Sequence, residues 1–100
     1  MRNEFEKTFG ELLHQIAGNL IKNAEPVPEN VLKGALAFEK HKWHSMPLQE
    51  QIDLVRNIER ETEAPSAIYR HYESYPHPFS RTLFSKFSAA LKDYKQSLMA

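Results

Sequence analysis

The chain has 100 residues, enough for one domain with a core, and no cysteine, which excludes disulfides, thiolate zinc sites and a cysteine nucleophile. Thirteen basic and thirteen acidic side chains cancel, so no net charge attracts nucleic acid or an anionic membrane. No stretch approaches the roughly 18 uncharged apolar residues of a membrane-spanning helix, and the N-terminus lacks the apolar run of a signal peptide. We expect residues 1–100 to form a single soluble, cytoplasmic domain with no membrane association.

The first segment has the pattern of one amphipathic helix. Its apolar residues recur at steps of three and four positions from Phe5 to Ile21, which places them on one helical stripe. Asn3 and Glu6 are suitable residues for the start of this helix. The two prolines of the sequence NAEPVPEN then end the pattern, because each proline restricts the residue before it.

Two shorter helices are expected next. The second runs from about Pro28 to His41, and its apolar positions are Val31, Leu32, Ala35, Leu36 and Phe38. The third follows a boundary at HSMPLQEQ, where Ser45 is a candidate cap and Pro47 belongs to the first turn. Its apolar pattern predicts that this helix ends near Thr62.

The C-terminal third contains a short helix and a long one. The short fourth helix begins at Pro65 and is interrupted by the Tyr-Pro-His-Pro segment at residues 75–78. The final helix has the longest apolar stripe, from Phe79 to Leu98. Strand-type alternation and hairpin turns are absent from the sequence. The sequence therefore predicts an all-α fold, a bundle of four to five helices in a single compact domain.

The sequence has no signature of a catalytic, phosphate-binding or metal-binding site. It contains no Gly-x-Ser-x-Gly motif and no glycine-rich helix start. His41 and His44 flank Trp43, but the zinc-binding helix of metalloproteases needs a four-residue spacing and an adjacent glutamate. We therefore predict that the protein is not an enzyme and uses no cofactor or metal. A small enzyme or a metal-binding protein is the third alternative.

One region is similar to a known DNA-binding motif. Residues 31–46, VLKGALAFEKHKWHSM, followed by residues 61–74, ETEAPSAIYRHYES, resemble the DNA-binding helices of tetracycline-repressor-type regulators. The recognition helix of those regulators typically ends in a Tyr-x-His-aromatic pattern. The resemblance implies a helix-turn-helix DNA-binding regulator whose recognition helix is about residues 65–72, and this is the alternative function.

The same resemblance implies roles for individual residues of that helix. The side chains that would face phosphates or base edges are Ser66, Arg70 and His71. The side chains that would anchor the helix against the rest of the domain are Tyr69 and Tyr72.

Aromatic residues beside two X-Pro bonds indicate a protein-binding surface. Tyrosine and tryptophan are favoured at interfaces because they combine a large rigid area with a polar end. The predicted protein-binding residues are Trp43, Tyr69, Tyr72, Tyr75, Pro76, Pro78 and Phe79. The same aromatic residues could instead fill the core of a small bundle.

Our main prediction is a small regulatory, adaptor or inhibitor protein. It would bind and modulate a larger protein or complex through this Pro-flanked aromatic surface, and a homodimer is a further option.

Overall fold

The computed structural model of the chain describes residues 3–63, 66, 68–70 and 78–100. These residues form α1 (Asn3–Lys22), α2 (Glu29–Glu39), a 3₁₀ helix (Trp43–Ser45), α3 (Leu48–Thr62) and α4 (Pro78–Met99). Ile68–Arg70 is also helical, and none of the described residues lies in a β-strand. The prediction of an all-α helical bundle is confirmed.

Contacts between the helices define how the chain runs through the bundle. In each pair of neighbouring helices, residue numbers rise along one helix while they fall along the other, so the pairs are antiparallel. The contacts are Gly10–Phe38 and Leu13–Gly34 for α1 and α2, Gly34–Ile58 and Asn30–Glu61 for α2 and α3, and Glu59–Lys95 and Arg56–Met99 for α3 and α4. Because α4 also packs along α1, the four helices close into an up-down-up-down bundle.

The core forms one continuous cluster to which every helix contributes. Phe9 lies among four aromatic rings: its ring centroid is 5.3 Å from that of Tyr94 and 5.9 Å from those of Phe87, Trp43 and Phe38. The outer faces of α1 and α4 are mainly polar. None of the helices among the described residues is apolar enough over a sufficient length to cross a bilayer.

The apolar stripe of α1 is buried in its middle and exposed at its ends. Leu13 and Ile16 are fully buried, whereas Phe5 and Ile21 are exposed. Ile21 follows the buried Leu20, and one helical step of about 100° carries its side chain off the core-facing stripe. The periodicity therefore predicted the helix correctly but included two residues that the core does not cover.

Helices α1 and α2 end in the same left-handed turn. The residues after their last turns, Ala24 and His41, have φ angles of 57° and 56°, in the region that glycine normally occupies. In both turns the amide of the following residue donates to a carbonyl five residues back, Glu25 N to Leu20 O at 2.8 Å and Lys42 N to Ala37 O at 2.8 Å. As a result α2 ends at Glu39, two residues before the predicted end.

The boundaries of α3 differ from the prediction only at its start. Pro47 is the N-cap residue and precedes the first turn, and it makes no side-chain capping hydrogen bond of its own. Ser45, the predicted cap, belongs instead to the 3₁₀ helix. The prediction that α3 ends at Thr62 is confirmed.

The first turn of α2 is capped by a side chain from α3. Its N-cap residue, Pro28, makes no capping hydrogen bond of its own. The Glu61 carboxylate instead accepts hydrogen bonds from the backbone amides of Asn30 and Val31, both at 3.1 Å, and from Nδ2 of Asn30 at 2.9 Å. A carboxylate at this end also interacts favourably with the helix dipole. The start of α2 therefore depends on α3.

Replacing Glu61 with alanine should destabilise the fold because two backbone amides of α2 lose their acceptor. Loss of a helix cap costs about 0.5 to 2 kcal/mol, so the free energy of unfolding should fall by about that amount. Urea denaturation followed by circular dichroism measures the change. Glu63→Ala is the control, since Glu63 lies two residues along and is exposed, and its effect should stay within about 0.5 kcal/mol. Equal losses in the two variants would contradict the assigned cap.

Candidate functional site

Trp43 is a core residue, and its predicted place in a protein-binding surface is wrong. Its side chain is 1% exposed, and its ring stacks on Phe38 with centroids 4.4 Å apart and planes at 13°. The indole Nε1 donates a 2.8 Å hydrogen bond to the Tyr94 hydroxyl, which lies 3.4 Å from a carboxylate oxygen of Glu6. The 3₁₀ helix turns the indole inward, where its only polar group finds a partner, so nothing of it remains for a binding partner.

A buried glutamine holds the segment that carries Trp43. Gln51 is 1% exposed, and its Nε2 donates to the carbonyl oxygens of Trp43 at 2.9 Å and Met46 at 3.2 Å. Sequence reasoning missed this residue because a glutamine in the first turns of an amphipathic helix resembles an ordinary surface position. Its role depends on a loop carbonyl that no local pattern indicates.

The described part of the predicted recognition helix has a capping hydrogen bond of its own and packs against the domain. The Ser66 hydroxyl accepts a 3.1 Å hydrogen bond from the Tyr69 amide, as an N-cap residue does. Ile68 is buried, and the half-buried Tyr69 packs edge-on against Phe84 with centroids 5.9 Å apart. Arg70 is exposed. The structure thus brings Ser66 and Tyr69 together through capping.

For the other predicted site residues, the structure describes the backbone of two and nothing of the rest. Pro78 and Phe79 lie in the first turn of α4. The remaining predicted residues fall outside the described residues, and they are His71, Tyr72, Tyr75 and Pro76.

A groove of about 520 Å³ runs between α1 and the end of α2, and we call it the α1–α2 groove. Within the groove the Phe38 ring lies directly on the α1 backbone, because Gly10 has no side chain: a Cβ there would lie 2.6 Å from the ring. The lining residues are Lys7, Gly10, Glu11, His14, Gln15, Phe38, Glu39 and His41. The sequence did not predict the groove because its lining residues come from two helices, and residues such as Gly10 and Phe38 lie far apart in the chain.

The groove combines an aromatic floor with a polar rim. Phe38 forms the floor and is backed by Trp43 on the core side. Among the residues that the structure describes, no side chain of the rim is hydrogen-bonded or ion-paired to another. These rim side chains are Lys7, Glu11, His14, Gln15, Glu39 and His41. An apolar surface with several unpaired polar groups around it is the usual composition of a ligand or peptide site.

A second cavity of about 290 Å³ lies between α3 and α4 beside Tyr69. Two of its polar side chains already have partners within the protein. Glu59 forms a 2.8 Å ion pair with Lys95, and the Thr62 hydroxyl donates to the Ile58 carbonyl at 2.9 Å. The α1–α2 groove is larger, and its polar side chains have no partner among the described residues, so it is the better candidate site.

Metal binding finds no support among the described residues. Within that part of the chain, no group of three or more histidine, aspartate or glutamate side chains converges closely enough to hold an ion. The two histidines of the α1–α2 groove are thus left as hydrogen-bonding and charge-bearing groups.

The hydrogen bond between Trp43 and Tyr94 should be a measurable part of the stability. Tyr94→Phe removes the hydroxyl and leaves the buried indole N–H without its acceptor, which should lower the free energy of unfolding by about 1 to 3 kcal/mol. Tyr69→Phe is a matched control because the Tyr69 hydroxyl makes no hydrogen bond to a described residue, and its effect should stay below about 0.5 kcal/mol. Chemical denaturation of both variants tests this, and similar losses would show that the hydrogen bond is not the cause.

Two glycines of α1 should respond in opposite ways to the same substitution. Gly18→Ala should raise the free energy of unfolding by about 1 kcal/mol, because a Cβ there meets nothing within 4 Å and alanine favours the helix. Gly10→Ala should lower it by about 1 to 3 kcal/mol, because the methyl group overpacks the Phe38 ring. It should also shift the Trp43 fluorescence, since that ring stacks on the indole. A stabilised Gly10→Ala variant with unchanged fluorescence would contradict the close contact.

Comparisons of this chain with protein-family models, with curated proteins and with solved structures returned no match. The α1–α2 groove and its chemistry are therefore the basis on which we infer a function.

Proposed function

We propose that this protein is a small regulatory, adaptor or inhibitor protein, which binds a segment of another protein in the α1–α2 groove. The observation that carries the proposal is the exposed side of the Phe38 ring, framed by polar side chains that have no partner among the described residues. An amphipathic helix that lays its apolar face into such a groove is a recurring mode of recognition. The occupant we infer is therefore an amphipathic helix of the partner.

The floor and the rim of the groove would contribute differently to binding. A large apolar side chain of the partner on Phe38 would supply most of the affinity, because buried aromatic contacts act as interface hot spots. The rim carries one lysine, two glutamates and two histidines, and charges of both signs mainly fix orientation and exclude wrong partners. A mixed rim of this kind suits a peptide segment with charged residues of both signs.

The Pro-flanked aromatic surface remains a prediction in revised form. It no longer includes Trp43, and Tyr69 is the one member whose side chain the structure describes. Tyr69 packs partly against Phe84 and lies beside the smaller cavity, away from the α1–α2 groove. We include in the proposal that the protein acts in the cytoplasm as a regulator of a larger protein or complex.

Site-specific photo-cross-linking in the native cells tests the location of the binding surface. A photoreactive phenylalanine analogue at Gln15 lies in the groove, and the same analogue at exposed Asp93 of α4 is the control. The expected result is one protein adduct that forms from Gln15 and not from Asp93. A third probe at Arg70 examines the alternative function, since cross-linking to DNA from that position alone would favour the helix-turn-helix regulator.

A matched pair of glycine variants should then separate the groove from general stability. Ala24→Gly and His41→Gly each relieve a left-handed residue at the end of a helix, and each should raise the free energy of unfolding by about 0.5 to 1 kcal/mol. Only His41→Gly removes a groove side chain. The partner identified by cross-linking is then purified and titrated against each variant by calorimetry. The dissociation constant should be about tenfold larger for His41→Gly and unchanged for Ala24→Gly. Unchanged affinity in both variants, together with adducts from Asp93, would overturn the proposal.

A further inference from the structure

The side of α2 that faces solvent carries two leucines. Leu32 and Leu36 are 38% and 39% exposed, and they lie one turn apart on the same face of the helix. Glu29 begins the same stripe at the start of α2, and Lys40 continues it just after the helix ends. The stripe thus has steps of three, four and four residues, and it places an acid, two leucines and a base in a row.

The charges at the two ends of this stripe are available for a partner. Glu29 and Lys40 are both exposed, and neither is ion-paired within the described part of the chain. They lie eleven residues apart, so they cannot reach each other along one helix. Both charges are therefore accessible to another molecule.

The stripe is complementary to itself when a second copy is turned end for end. A two-fold axis between Leu32 and Leu36 sets Leu32 against Leu36 of the second copy and Glu29 against Lys40 of the second copy, each contact occurring twice. The antiparallel arrangement also brings the positive end of one helix dipole near the negative end of the other. A parallel arrangement would oppose Glu29 to Glu29 and Lys40 to Lys40, so the charges select one orientation.

We propose that a second copy of this chain docks on this face, and that the protein forms a symmetric homodimer through antiparallel α2 helices. The four residues of the stripe do not line the α1–α2 groove, so this inference is independent of the proposed function. The leucines give a small apolar contact, and interfaces at the small end of the range are weak. The dimer therefore dissociates in the micromolar range and is populated at high protein concentration.

Analytical ultracentrifugation of the full chain tests the dimer directly. At low salt and about 5 to 500 µM protein, the wild type should move from monomer to dimer. Leu36→Glu should remain monomeric throughout, because it places carboxylates in the apolar contact. Leu48→Glu is the matched control: Leu48 is 51% exposed but lies at the start of α3, and this variant should dimerise like the wild type.

Charge reversal tests the orientation and does not depend on the leucine variants. Glu29→Lys and Lys40→Glu should each weaken dimerisation by about tenfold, since each change turns two attractions into repulsions. The double variant should recover the wild-type dissociation constant, because the pairs form again with exchanged signs. Circular dichroism confirms that each variant is folded. A wild type that stays monomeric at the highest concentration, or a double variant that is weaker than both single variants, would overturn the proposal.

Discussion

The arrangement of this bundle depends on one requirement, which is that the N–H group of a buried tryptophan must have an acceptor. The Tyr94 hydroxyl meets it at 2.8 Å, and this hydrogen bond joins the connection between α2 and α3 to α4. The Trp43 carbonyl oxygen in turn accepts a hydrogen bond from the side-chain amide of Gln51. Both polar ends of Trp43 are thereby fixed, so its ring plane is fixed too, and Phe38 stacks on that plane.

The α1–α2 groove follows from that stack. Phe38 is held between the Trp43 ring and the bare backbone at Gly10, so it cannot sink deeper into the core. Its remaining side forms an apolar floor in contact with solvent. The left-handed turn at His41 ends α2 and allows the chain to double back toward the core with Trp43. The elements that bury the tryptophan therefore also create the surface on which the proposed function rests.

The helices were predictable from the sequence because their apolar residues recur with the helical period, and the end of α3 at Thr62 agrees with that pattern. Trp43 was misplaced because an aromatic residue between helices can face the core or the solvent, and only its partners Phe38 and Tyr94 decide between these. The groove was not predictable for a related reason. Gly10 appears in sequence as a weak helix residue, and its contact with Phe38 forms between residues 28 positions apart.

The capping of α2 by Glu61 has a consequence for how the protein folds and fluctuates. A helix of 11 residues is too short to be stable alone in water, and the acceptor for its first amides lies about thirty residues further along the chain. The α1–α2 hairpin is therefore not an autonomous folding unit, and α2 and α3 should gain and lose their structure together. Any partial opening that detaches α3 also frees the start of α2, so slow hydrogen exchange at Asn30 and Val31 would be a property of the whole bundle. The groove, although it touches only α1 and α2, then exists only while α3 is in place.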